Sequence, residues 1–196
     1  MKPSVIIMDD FYENPYQVRD YATSLSFSLN DKKAFPGLRS NYSYSNEKIL
    51  NIFKQILSPY YSDVIFNPKT ATGMFQYTTI HDTSWVHKDN LCKETKYDTN
   101  NFDYFSAICY LSPNPPVESG TTLYKDENEN KCINALHNEQ YNTDEHKFVR
   151  TDYICNKFNR LLLFDGSIYH TAETYFGENK YDARLTQVFF LLAIKG

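Results

Sequence analysis

The hydrophobic pattern of this chain changes period once, near Thr70, and that change limits the folds open to it. Before it, apolar residues recur at helical spacing. Val18, Tyr21, Ala22 and Leu25 follow Asn14-Pro15, which reads as an N-cap with proline at the first helical position. Ile49, Leu50, Ile52, Phe53, Ile56 and Leu57 give a second, broader apolar face that begins near Ser45 and stops at Pro59. The run Val5-Ile6-Ile7-Met8 ends in two aspartates and reads as a strand rather than a signal peptide. The first third thus predicts one strand and two helices, with Phe35-Pro36-Gly37-Leu38-Arg39 as an irregular loop.

Beyond Thr70 the apolar runs are short and separated by turns, at 74–80, 104–111, 121–124, 148–155, 160–164 and 185–193. Such spacing favours a sandwich or barrel. Residues 125–147 interrupt it with a polar, aperiodic stretch that reads as a surface insertion or lid. The expected fold is α+β, mainly β, with amino-terminal helices and then about eight strands. At 196 residues the chain suits a single domain over 1–196, with a helical part at 1–69 and a β core at 70–196.

Composition narrows the partners. Lys and Arg number 20 against 24 Asp and Glu, so the chain lacks the basic balance of a nucleic-acid binder. No apolar run approaches the roughly 18 residues needed to span a bilayer. Cys92, Cys109, Cys132 and Cys155 show no CxxC spacing, which points to reduced thiols and a cytoplasmic protein. Tyrosine, at 17 residues, is in excess, and codon bias with core packing explains most of it.

The five histidines can be weighed one by one. His87-Lys88-Asp89 places an imidazole and a carboxylate two residues apart, on one face of an extended segment. With one distant His they make a facial triad, which leaves positions open on an octahedral Fe(II). The pattern alone is weak, because His137-Asn138-Glu139 matches it too, but that pair lies in the polar insertion with no β run around it. For the third ligand, His170 follows the strong strand Arg160-Leu161-Leu162-Leu163-Phe164 and the Asp165-Gly166 turn. His81 and His146 sit in polar, turn-like surroundings and read as surface residues.

From about 71 to 193 the sequence resembles the prolyl-hydroxylase-type branch of the Fe(II)/2-oxoglutarate-dependent oxygenases. Tyr77 followed ten residues later by His87-Lys88-Asp89-Asn90 is similar to that branch's Tyr and H-x-D-N motif. Ile108-Cys109-Tyr110-Leu111-Ser112 resembles its Tyr-Leu-Asn strand, and Gly120-Thr121-Thr122-Leu123-Tyr124 its Gly-Gly-x-Leu strand. Phe158 to Phe164 resembles the strand leading to the distal His, and Arg184-Leu185-Thr186 the R-x-S/T element. Two positions depart from the pattern: Ser119 stands for the first Gly and Ser112 for the usual Asn.

The resemblance implies a double-stranded β-helix, or jelly-roll, with helices packed on one sheet. It implies that His87, Asp89 and His170 ligate Fe(II), and that 2-oxoglutarate and O2 are consumed, with ascorbate as a supporting reductant. Arg184 would hold the far carboxylate of 2-oxoglutarate, a role suited to a planar guanidinium. Thr186 shares its face, Tyr110 would reach the same carboxylate, and Tyr77 would line the pocket. Trp85, Asn90, Arg39 and Tyr169 are expected at the substrate rim. The implied activity is hydroxylation of an amino acid, or of a prolyl or similar residue in a peptide or protein. The halogenases related to this family lack the carboxylate, so Asp89 favours hydroxylation. The complete set disfavours a non-catalytic jelly-roll binding module, and Arg184-x-Thr186 disfavours a metal-dependent cupin-type enzyme that uses no 2-oxoglutarate.

Overall fold

A computed structural model describes residues 2–29, 35–89, 101–128 and 147–196. In chain order its elements are β1 (Val5–Met8), α1 (Pro15–Ser24), β2 (Phe27–Leu29), β3 (Leu38–Ser43), α2 (Glu47–Leu57), β4 (Asp63–Phe66), β5 (Met74–Thr78), β6 (Phe102–Tyr110), β7 (Thr121–Asp126), β8 (Phe148–Ile154), β9 (Leu161–Asp165), β10 (Tyr169–Ala172) and β11 (Arg184–Ile194). Eight strands form one antiparallel sheet in the order β1-β9-β6-β11-β5-β3-β2, with β4 also paired to β11. β10, β7 and β8 form a second, three-stranded sheet.

Strand alternation gives the large sheet two different faces. Leu185, Phe189 and Leu191 of β11 lie in one cluster with Phe105, Ala107 and Cys109 of β6 and Leu161 and Leu163 of β9. The helices cover that face: Val18 and Ala22 of α1 and Ile49, Phe53 and Leu57 of α2 join the same cluster. Phe53 is fully buried, its ring 5.1 Å from Phe189 and 5.7 Å from Phe11. On the opposite face Tyr110, Leu162 and Phe164 pack with Leu123 and Ile154 of the small sheet. Between the sheets, beside that second cluster, Arg184, Thr186, Val188 and Phe190 of β11 face a cavity.

The helices form for the local reasons the sequence shows. Pro15 opens α1 after Asn14. Asn46 caps α2, its Oδ1 accepting from Ile49 N at 3.0 Å, with Glu47 in the first turn and Lys54 in the last to suit the helix dipole. The helix ends at Leu57, two residues before the proline expected to stop it, where Leu57 O accepts from Tyr60 N and Tyr61 N.

The first third holds more strand than expected. Leu38 and Arg39 begin β3 rather than closing a loop, β2 pairs with β3, and β4 pairs with the end of β11. β2 is the edge strand and β3 lies between it and β5, and their Ser28, Leu29, Asn41, Tyr42 and Ser43 are exposed, so they carry no apolar alternation. β10 was hidden for a related reason: only four residues long, it includes His170 and Thr171. Asn90, His137, His146, Cys92 and Cys132, and residues 129–146 of the expected insertion, lie outside the described residues. That insertion leaves and returns at one place, since Asp126 pairs with Phe148 and Glu127 N donates to Lys147 O. Cys109 is buried and Cys155 half-buried, both as free thiols. No helix among the described residues is long and apolar enough to cross a membrane.

Candidate active site

The segment ahead of residue 90 docks on the edge of β10. His87 N donates to His170 O at 3.1 Å and His170 N to His87 O at 2.8 Å, an isolated antiparallel bridge. The hydroxyls of Ser84 and Thr171 are hydrogen-bonded beside it. The two imidazoles therefore leave adjacent backbones on one side, with ring centroids 4.3 Å apart. Gly166 leaves room for this arrangement, because a Cβ there would lie 3.2 Å from Asp89 O.

Each ring is oriented by a carbonyl two residues earlier in its own segment. Nδ1 of His87 lies 3.1 Å from Trp85 O, and Nδ1 of His170 lies 3.1 Å from Ile168 O. A carbonyl can only accept, so Nδ1 carries the proton and each Nε2 presents a lone pair. Asp89 Oδ1 is 3.8 Å from His87 Nε2 and Oδ2 is 3.6 Å from His170 Nε2. These distances exceed hydrogen-bond length. Three donor atoms thus gather within 4.8 Å of one another without satisfying each other. Two imidazole nitrogens and one carboxylate on a common face fit a divalent ion that keeps positions open.

The electrostatics agree with that fit. Burial, helped by the neighbouring His87, pushes His170 down to about 4, so its ring is neutral at neutral pH. Burial would raise the Asp89 carboxyl, but the facing His170 and His87, then Ser106 and Arg39, outweigh it and hold the group below its ordinary value.

His87, Asp89 and His170 line a cavity that also reaches Arg184, Thr186 and Thr121. On β7, Leu123 pairs with His170 and Thr121 with Ala172. Arg184 meets Thr121, which by strand rise is about 7 Å along β7 from the residue opposite His170. The Arg184 side chain is buried, donating from Nε to Ser119 O at 2.8 Å and from Nη2 to Thr121 Oγ1 at 3.5 Å. Among the described residues it has no acidic partner. Tyr110, fully buried, lies with its ring 5.4 Å from the guanidinium, and its hydroxyl donates to Thr121 Oγ1 at 2.7 Å.

Both departures from the family pattern act on Arg184. Ser119 supplies the carbonyl that accepts from it. Ser112 Oγ donates to Ala183 O at 2.9 Å and accepts from Leu185 N at 2.8 Å, so one hydroxyl fixes the backbone on either side of Arg184.

The other expected residues divide. Trp85 and Arg39 line the cavity, and the Trp85 ring is 6.1 Å from that of His87. Tyr77 does not line it. Within β5 it points to the helix-covered face, its ring 4.9 Å from Phe27, while its neighbour Gln76 faces the cavity. Tyr169 is likewise turned away, since it precedes the inward-facing His170 by one residue, and it packs on Phe148 and Lys88. His81 is a surface residue paired with Glu178 at 2.7 Å. Sequence reasoning missed Gln76, Ser106, Ser84 and Tyr175, which also line the cavity. Strand alternation would have found Gln76 and Ser106 once Arg184 and Thr186 were placed inward.

The sequence matches, over residues 1–147, the profile of a family described as "Family of unknown function (DUF6445)". The chain belongs to the DUF6445 family. No curated protein matches it. Among solved structures, this DUF6445 member is similar to a prolyl hydroxylase from Trichoplax adhaerens in complex with a hypoxia inducible factor peptide fragment, at 17% identity and a TM-score of 0.55, covering 98% of this chain and 84% of that one. It is similar to HygX from Streptomyces hygroscopicus with nickel, 2-oxoglutarate and hygromycin B bound, at 13% identity and a TM-score of 0.55, covering 96% and 82%. It is similar also to the non-heme alpha ketoglutarate dependent epimerase SnoN from nogalamycin biosynthesis, at 9% identity and a TM-score of 0.56, covering 100% and 82%. The jelly-roll fold expected from the sequence is the one these proteins share.

Proposed function

We propose that the protein is an Fe(II)- and 2-oxoglutarate-dependent oxygenase that hydroxylates an amino acid, or a prolyl or similar residue in a peptide or protein. The observation that carries this reading is Arg184: a buried guanidinium without an acidic partner among the described residues, in the same cavity as His87, Asp89 and His170. A buried, uncompensated charge is costly. A dicarboxylate reaching from the three donors to Arg184 removes that cost.

His87 and His170, through Nε2, and Asp89 would hold the iron. When bound, iron supplies the activation of O2 that converts 2-oxoglutarate to succinate and CO2, with one oxygen atom of O2 going to succinate and the other to the substrate C–H bond. Arg184 would pair with the far carboxylate, with Thr121 and Tyr110 holding the guanidinium in place. Thr186, on the same face, adds a hydroxyl to the pocket wall. Ile108, Val188 and Phe190 line the cavity with apolar surface and limit water there.

The test is succinate release from 2-oxoglutarate in the presence of Fe(II), O2 and ascorbate. Release is expected with the native chain and is lost in Asp89→Ala. An iron-loaded native chain that never forms succinate, with or without a panel of amino acids and peptides, sinks the reading.

A further inference from the structure

Arg184 shares the cavity with a second guanidinium, that of Arg39 on β3. Arg39 is held in a fixed orientation. Its Cζ stands 3.7 Å over the Phe35 ring, and its Nε and Nη2 both donate to Gln76 Oε1, at 3.2 and 2.5 Å. Gln76 is fixed in turn, with Nε2 donating to Pro36 O at 2.9 Å, so its oxygen faces the arginine. Nη1 of Arg39 makes no hydrogen bond among the described residues, and Arg39 has no acidic partner at ion-pair distance there.

Ser106 adds a hydroxyl to the same cavity: its side chain is 2% exposed and its Oγ lies on the Asp89 side. Arg39 and Ser106 both act on Asp89, which places them on the metal side of the cavity rather than beside Arg184.

The charges of the lining residues indicate what is missing. Two guanidinium groups face one carboxylate, and an imidazole that ligates a metal does so as the neutral base. A divalent ion and a 2-oxoglutarate dianion cancel each other, so one positive charge remains, and Arg184 is already committed. We infer that the substrate carries a free carboxylate, and that Arg39, oriented by Gln76 and Phe35, binds it beside the metal. This inference rests on the oxygenase reading above. A phosphate, at about −1.5 to −2 near pH 7, overshoots the single charge left over, whereas a carboxylate matches it and can meet a planar guanidinium edge-on. The acid can belong to a free amino acid or to the end of a peptide chain.

The test uses the full chain loaded with Zn(II) and 2-oxoglutarate, which holds the site without turnover, and reads binding by saturation-transfer NMR. The probes are the common L-amino acids with their amides, and short peptides with free and amidated C-termini. Acids of one set are expected to bind at least about tenfold more tightly than their amides, because the lost contact is a charge-assisted hydrogen bond. The set that binds separates a free amino acid from a peptide end. Arg39→Gln should erase the preference for acids while zinc stoichiometry is retained, and Gln76→Leu, which removes the anchor and leaves the charge, should weaken it. Amides that bind as well as acids, an undiminished acid preference in Arg39→Gln, or no binding in either set overturns the inference. If acids bind through Arg39 yet the iron-loaded chain forms no succinate, the oxygenase reading fails and the carboxylate site stands.

Discussion

His87 and His170 exchange both of their backbone hydrogen bonds although they belong to segments far apart in the chain. The bridge sets the spacing of the two rings before any ion arrives, and the carbonyls of Trp85 and Ile168 set their tautomer. Removing one imidazole leaves that backbone bridge intact. His170→Ala and Asp89→Ala are therefore expected to lose stoichiometric binding of Mn(II) or Fe(II), measured by metal analysis after gel filtration, while circular dichroism stays native. His137→Ala should retain the metal; if it alone loses the metal, the second H-x-E match is the true ligand pair.

Arg184 depends on Ser112 in a way that can be separated from its charge. Ser112→Ala leaves Ala183 O and Leu185 N, in a buried strand start, without their side-chain partner. Stability should fall by about 1–3 kcal/mol. The KM for 2-oxoglutarate should rise with little change in metal affinity. Arg184→Gln should raise that KM further, by at least about tenfold, and Arg184→Lys less so, since an ammonium keeps the charge but not the fork. A KM for 2-oxoglutarate that is unchanged in Arg184→Gln moves the carboxylate contact elsewhere.

Phe53 links the helical layer to the large sheet through Phe11, Phe66 and Phe189. Phe53→Ala empties the centre of that cluster. A loss of about 3–5 kcal/mol is expected from denaturant unfolding, which combines the transfer and cavity terms. Phe53→Leu should recover most of it.

The parts of this architecture that were legible in the sequence are those with a strong period. β6, β9 and β11 carry apolar residues toward both faces, and α2 carries a wide apolar stripe, so each announces itself. His87 and Asp89 could be paired because a spacing of two fixes a common face, and His170 because it follows β9 and the Asp165-Gly166 turn. Tyr77 and Tyr169 show where spacing along the chain misleads. Each stands next to a cavity residue, Gln76 and His170, and adjacent residues of a strand face opposite sides. Arg39, Gln76 and Ser106 come together from three strands, β3, β5 and β6, whose order in the sheet no local pattern encodes.

The last prediction concerns pH and the junction of β1 with β9. Arg160 donates from Nε to Asp9 Oδ1 at 2.6 Å and from Nη2 to Oδ2 at 3.1 Å, and Lys157 Nζ donates to Oδ2 at 2.7 Å. The hydrogen bonds from Arg160, then those from Lys157, pull the Asp9 carboxyl from 3.8 to about 2. A carboxyl depressed in the folded state adds stability that is fully present above its unfolded value and is lost as pH falls through about 2. Because Asp9 is partly exposed, solvent screens the contribution and it should be modest. Asp9→Asn is accordingly expected to melt below the native chain at pH 7. That gap should hold down to about pH 5, narrow below pH 4 and close near pH 2, as the native carboxyl takes up its proton. Thermal unfolding of the two chains across this range gives the comparison. A gap that stays constant to pH 2 would assign the effect to side-chain packing rather than to the charge on Asp9.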